Sequence, residues 1–194
     1  MRLVVATANP GKLREYRALL DGLGLVLVAL PASVSPPPET GDTFLANARI
    51  KAHHAARHTG LFALGDDSGL EVTALGGWPG VSSARFAGEG ATDAQRMAQV
   101  LDRLRPHRDR SAAMRTALVL AGPDGSESWA EGVLRGTVAF APRGSRGFGY
   151  DPLFVPEGFT GTLAELGPEV KDRISHRARA AAALRPAIER LRRP

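Results

Sequence analysis

Apolar positions run without a break from Leu3 to Thr7 (LVVAT), which predicts a buried strand. A small-residue turn, Ala8 to Gly11, follows. Leu13, Tyr16, Leu20 and Leu23 then recur at a spacing that places them on one face of a helix. Leu25 to Leu30 predicts a second strand, and Pro31 to Thr40 a proline-rich loop carrying Glu39. Asp42 or Thr43 can cap a helix that runs to about His58 and ends at Gly60. Leu61 to Leu64 predicts a strand that ends in Asp66 and Asp67, with a glycine-rich stretch beyond them. Thr92 to Gln95 (TDAQ) spells a capping box, and it opens a helix with Met97, Leu101 and Leu104 on one side and Pro106 as its stop.

Ala113 to Ala121 and Ser128 to Phe140 read as a long hairpin around the turn Gly122 to Gly125 (GPDG). Tyr150 to Val155 predicts a short strand. Ser175 can cap a final Ala/Arg-rich helix, which Pro186 should kink or split. Helices alternate with strands early and a hairpin comes later, so the fold class is α/β with a mixed sheet. No internal repeat and no separating linker is present. Residues 1–194 are therefore expected to form a single domain, with two lobes around one cleft.

Composition narrows the function. The chain has 194 residues, enough for a sizeable core. No apolar run approaches the roughly 20 residues of a bilayer span, and the short apolar run after Arg2 is not a signal peptide, so no membrane partner and a cytoplasmic location are expected. With no cysteine, thiolate catalysis and cysteine-based zinc sites are excluded. The net charge of +5 invites a polyanion. Part of the excess lies in Arg190, Arg192 and Arg193, which read as a solvated helix face, and 6% aromatic residues make no platform for stacking bases. Of 25 basic residues only Lys12, Lys51 and Lys171 are lysines. In so arginine-rich a chain, a lysine hints at a compact charge for a phosphate oxygen.

Candidate chemistry centres on Asp66 and Asp67. Neighbouring strand residues face opposite ways, so the two carboxylates should do different work: one facing a cleft as metal ligand or general base, the other tying down the chain. Plain turn chemistry is the competing reading of Asp-Asp-Ser-Gly. Thr7 to Lys12 (TANPGK) joins a strand to a helix whose first backbone N–H groups, with the lysine, can cradle phosphate, although neither the first glycine nor the Ser/Thr of a Walker A loop is present. Glu39 is a loop carboxylate, and Lys51 otherwise reads as a solvated helix residue. In Gly147 to Asp151 (GFGYD), Phe148 or Tyr150 could stack on a planar base and Asp151 could bond a ring nitrogen. Lys171 to Arg177 (KDRISHR) sets basic groups at a helix start, where the dipole disfavours them. His54 and His58 lack the glutamate of a metalloprotease helix, and no Gly-x-Ser-x-Gly elbow is present.

These segments in this order, together with LGGWPGVSSARFAG and TLAELGPEVKDRISHRARA, resemble the inosine triphosphate pyrophosphatase family. The resemblance implies two α/β lobes around a long mixed sheet with helices on both sides, a nucleotide cleft between the lobes, and a homodimer. It implies Mg²⁺-dependent hydrolysis of non-standard purine nucleoside triphosphates to monophosphate and pyrophosphate. Thr7, Ala8, Asn9, Pro10, Gly11 and Lys12 match the triphosphate loop, with Ala8 where the family commonly has glycine. Glu39 and Asp67 match metal-binding carboxylates, and Asp67 also the catalytic base. Ser68 matches a substrate contact. Phe148, Gly149, Tyr150 and Asp151 match the base-binding stretch, and Lys171, His176 and Arg177 further nucleotide contacts. Lys12 and Lys171, with Lys51, would neutralise the leaving pyrophosphate. Donors on His176 and Arg177 would favour the keto oxygen of hypoxanthine or xanthine over the amino group of adenine. A basic nucleic-acid-binding module, or a metal-dependent nucleotide pyrophosphatase of other base preference, is the alternative. No stable nucleic-acid partner is expected.

Overall fold

The computed structural model describes residues 1–88 and 90–191. Arg192 and Arg193, read above as part of a solvated helix face, lie outside the described residues. Six strands form a mixed sheet in the order β2-β1-β3-β4-β5-β6: β1 (Arg2–Val5), β2 (Val26–Ala29), β3 (Ala63–Val72), β4 (Ser111–Ala121), β5 (Glu127–Val138) and β6 (Phe154–Pro156). β1 pairs in parallel with β2 and β3, and β5 pairs antiparallel with β6. The helices are α1 (Pro10–Leu19), α2 (Phe44–Thr59), α3 (Asp93–Leu104), α4 (Leu163–Leu166), α5 (Pro168–Ile174) and α6 (His176–Arg190). By its internal contacts the chain divides into two compact units. One holds Met1–Asp67, Thr116–Gly132 and the chain from Arg177; the other holds Ser68–Arg115 and Val133–His176.

The first unit has one core on one face of its strands. Leu3, Val5, Leu64, Leu118 and Leu120 pack with Tyr16 and Leu20 of α1 and its C-terminus, and with Ala180, Leu184 and Ile188 of α6. On the opposite face α2 presents Ala48, Ala52, Ala55 and Ala56, all fully buried. Small residues on both sides allow close approach: a Cβ at Gly65 would collide with the Ala48 carbonyl oxygen and lie 2.7 Å from the Ala52 nitrogen. This contact brings Asn47 and Lys51 of α2 to β3. Thr43 caps the helix by accepting from the Ala46 N–H, and Gly60 ends it in the left-handed conformation (φ +65°). The second unit has its own core of Leu70, Val72, Met97, Val100, Leu104, Met114, Leu134, Tyr150, Leu153 and Phe154. The capping box predicted at Thr92 and Gln95 is present.

Four expectations need correction. β3 does not stop at the aspartates; it runs through Asp66-Asp67-Ser68-Gly69 to Val72, because both residues are satisfied in place and Gly69 leaves room for Ser83 and Gly80 against the strand. The turn reading of Asp-Asp-Ser-Gly fails with it. The last strand is Phe154–Pro156, since Tyr150 to Leu153 form turns bonded back on Tyr150 and Phe148. Lys171 is not at a helix start but in the last turn of α5, where the dipole favours a cation. Pro186 leaves α6 one helix. It sits on the exposed face, so the Ala182 carbonyl it leaves without a helical donor opens to water.

Gly65→Ala should destabilise the protein by about 1–3 kcal/mol in chemical unfolding, because α2 must move away from β3. An unchanged midpoint would show that the close approach of α2 is not required.

Candidate active site

The first unit collects Lys12, Glu39, Lys51, Asp66, Asp67 and Arg177. Alternation along β3 sends the two aspartates to different partners. Asp66, 2% exposed, faces α1 and α6. Its Oδ1 accepts from Lys12 Nζ (3.2 Å) and Thr116 Oγ1 (3.0 Å), and its Oδ2 from Tyr16 OH (2.8 Å) and Arg177 Nε (2.8 Å). Arg177 also donates from Nη1 to Glu15 (3.1 Å). Asp67, 5% exposed, faces α2. Its Oδ2 accepts from Asn47 Nδ2 (3.2 Å) and its Oδ1 from Lys51 Nζ (2.7 Å). The same ammonium meets Glu39 Oε1 at 2.5 Å and the Asp66 carbonyl at 3.2 Å. Lys51 is therefore no solvated helix residue: its side chain is 14% exposed and joins the two carboxylates.

The electrostatics separate the two aspartates further. Burial alone would raise the Asp66 pKa, but Lys12 and Arg177 overcome it and hold the carboxyl well below the usual range. For Asp67 burial wins over Lys51, and its pKa is raised. Burial likewise lowers the Lys12 pKa against the pull of Asp66, with Arg177 and Lys51 adding repulsion. For Lys51, burial is outweighed by Asp67 and Glu39, and its pKa rises. Glu39 and Asp67 are thus two hard oxygen donors converging on one cation position, the pair that could hold a metal in this unit. Among the described residues, no group of three or more His, Asp or Glu side chains is gathered for a metal.

The Thr7 to Lys12 turn differs in detail from a bare phosphate cradle. Asn9 caps α1, and its Oδ1 accepts from the N–H groups of Gly11 (2.8 Å) and Lys12 (3.2 Å); its own N–H donates to Thr7 Oγ1 (3.1 Å). Two of the amides expected to meet phosphate are capped by the protein itself. Pro10 takes the first helical position, where its missing N–H costs nothing. Ala8 carries no strain, since among the described residues no residue other than glycine has positive φ.

The second unit brings Phe148, Gly149, Tyr150, Asp151 and Lys171 together. Asp151 Oδ2 accepts from Lys171 Nζ (2.5 Å) and the Phe148 N–H (2.9 Å), and the ammonium lies 4.5 Å from the Phe148 ring centroid. Gly147 (φ +84°) must be glycine, because a Cβ there would enter the Asp151 carboxylate. The Gly149 N–H donates to Asp93 Oδ2 (2.7 Å), and the Tyr150 hydroxyl to the Ser83 carbonyl (2.8 Å). Burial pushes the Tyr150 phenol up. His176 is buried in the same unit, and Ser68 is half-buried on β3.

Sequence reasoning missed Tyr16, Asn47 and Thr116 as site residues. Tyr16 reads as one more apolar position of α1. Asn47 and Thr116 are single polar residues inside apolar stretches. For Asn47 a signal existed: it precedes Lys51 by four residues, on the same helix face. Fully buried, Asn47 also accepts the Gly41 N–H at 2.8 Å and so ties the loop after Glu39 to Asp67. Asn47→Ala leaves both groups unmet. It should cost about 1–3 kcal/mol of stability and speed amide exchange at Gly41; unchanged exchange would show that Asn47 does not hold the loop.

Residues 3–187 match the model of the Ham1 family. The chain is 50% identical over 189 residues to the dITP/XTP pyrophosphatase of Caulobacter vibrioides, covering 96% of this chain and 97% of that protein. It is 51% identical over 188 residues to a protein of the same name from Thermus thermophilus, covering 95% and 90%. The solved structure of a Ham1 protein from Coxiella burnetii superposes with a TM-score of 0.89 at 42% identity, over 98% of this chain and 99% of that one. From its third residue to the interior of its last helix, the chain belongs to the Ham1 family.

Proposed function

We propose that this protein hydrolyses non-standard purine nucleoside triphosphates, such as dITP and XTP, to the monophosphate and pyrophosphate, and so removes them from the nucleotide pool. The observation that carries the reading is the convergence of Glu39 and Asp67 on one cation position beside Lys12. Relatives of nearly the same length named dITP/XTP pyrophosphatase supply the substrate class. Among the described residues no helix is long and apolar enough to cross a membrane. A cytoplasmic location and a homodimer belong to the same reading.

The pair Glu39 and Asp67 suits Mg²⁺, which prefers oxygen ligands, takes few of them from protein and fills the rest with water and substrate phosphate. Held there, Mg²⁺ would polarise a phosphoryl oxygen of the substrate. The protein's own residues do the remainder. Asp67, beside the position where the water would attack, takes its proton as a bond forms from the water oxygen to the α-phosphorus. The bond from that phosphorus to the bridging oxygen breaks, and pyrophosphate leaves. Lys12 and Lys51 offset its charge. Thr7 to Gly11 shape the turn that presents Lys12. Lys171, held by Asp151 and against the Phe148 ring, is read as a base-side group with Gly149 and Tyr150, and Ser68, His176 and Arg177 as further substrate contacts.

The test is hydrolysis of the inosine, xanthosine, guanosine and adenosine triphosphates with Mg²⁺, with pyrophosphate and orthophosphate detected separately. Pyrophosphate from the first two, lowered at least about 10²-fold by Asp67→Asn, is the expected result. Orthophosphate as the first product would overturn the bond assignment. Equal turnover of all four would overturn the base assignment. Salt-sensitive binding of nucleic acid without any hydrolysis would replace the enzyme reading altogether.

A further inference from the structure

We propose that Asp66 is a positioning residue and no metal ligand: its carboxylate, saturated by Lys12, Thr116, Tyr16 and Arg177, sets the Lys12 ammonium in place for the phosphates. The inference deepens the reading above and rests on its assignment of Lys12 to the triphosphate.

A carboxylate has about four lone-pair positions, and here each oxygen already accepts two donors at 2.8–3.2 Å. A metal on Asp66 would have to displace a buried donor from α1, β4 or α6, each of which would then lack its acceptor. Asp67 is different. Of its two carboxylate contacts, Lys51 Nζ is shared with Glu39 and lies at the cation position itself. Two adjacent aspartates on opposite faces of β3 are thus one metal-facing carboxylate and one that is fully spent inside the protein.

What Asp66 is spent on is functional side chains. Lys12 and Tyr16 stand four residues apart on α1, so both reach it from one helix face. Thr116 comes from β4 and Arg177 from the start of α6. Lys12 has a flexible four-carbon stem with several rotamers of similar energy. Anchoring its tip to a carboxylate that three further donors hold still selects one of them. Arg177 is held from its far side by Glu15, so the charges alternate along Glu15, Arg177, Asp66 and Lys12. Without the Asp66 charge, Lys12 would lie buried beside two other cations, Arg177 and Lys51, with its strongest attraction removed.

The experiment compares Asp66→Asn, Lys12→Ala, their double variant and Asp67→Asn. Its readouts are KM and kcat for xanthosine triphosphate, the inhibition constant of pyrophosphate, and Mn²⁺ affinity of the protein alone by electron paramagnetic resonance. Asp66→Asn should raise KM and the pyrophosphate constant about tenfold and leave Mn²⁺ affinity within about twofold, whereas Asp67→Asn should abolish Mn²⁺ binding. In the Lys12→Ala background, Asp66→Asn should cost far less than it does alone, because its partner is already gone. Fully additive losses, or Mn²⁺ affinity lost on Asp66→Asn, would overturn the proposal while leaving the pyrophosphatase reading intact. Lys12→Ala with an unchanged pyrophosphate constant would overturn the phosphate assignment and this inference with it. Should Asp66→Asn not fold, Thr116→Val removes one neutral donor and should raise KM a few-fold at unchanged Mn²⁺ affinity; an unchanged KM would contradict the proposal.

Discussion

Two like charges one residue apart in a buried strand are the constraint on which this site depends. The pleat of β3 resolves it by turning Asp66 toward α1 and α6 and Asp67 toward α2, and each carboxylate then needs its own cations. Lys12 and Arg177 answer the first, Lys51 the second. Removing one partner from such a buried arrangement leaves an uncompensated charge, which is costly, so the network specifies geometry more than it adds stability. The apolar elements around it follow suit. Tyr16 belongs both to the hydrophobic core and, through its hydroxyl, to Asp66. The alanines of α2 and Gly65 let the helix approach closely enough for Asn47 and Lys51 to reach Asp67.

The same network drives the pKa values of the two carboxylates apart without any unusual side chain. Burial penalises both carboxylates. Around Asp66 two cations overcome the penalty, so that it stays ionised. Around Asp67 the penalty prevails, and its pKa is raised. The difference is one of neighbours alone. In the second unit a comparable economy holds: one carboxylate, Asp151, fixes Lys171 and the Phe148 backbone together, and the ammonium in turn meets the Phe148 ring. Aromatic face, cation and carboxylate are thereby fixed relative to one another.

Much of this is legible in the sequence. The caps at Thr43, Gly60 and Thr92, the hairpin, and the opposite orientation of the two aspartates follow from local rules that tertiary context does not override. Those rules nevertheless place the aspartates at a strand end, because Asp, Ser and Gly favour turns when judged one residue at a time. Sheet pairing and six long-range side-chain donors outweigh that preference, and no local window contains them. The short helices α4 and α5 escape the sequence reading, although Thr162 and Glu165 form a capping box visible as TLAE. Pro186 counts for too much in the sequence because its exposure, which makes a missing helical bond cheap, is a property of packing. Asn47 and Thr116 become site residues only when their partners, 20 and 50 positions away, are known.

In the proposed division of work, Asp67 with Glu39 faces the metal and Asp66 faces Lys12 and Arg177. The most direct measurement is a crystal structure with Mn²⁺ and a xanthosine triphosphate analogue that cannot be cleaved between its α- and β-phosphates. Anomalous density for Mn²⁺ is expected at Asp67 and Glu39, with Asp66 still holding Tyr16, Thr116 and Arg177. Mn²⁺ bonded to an Asp66 carboxylate oxygen would contradict it.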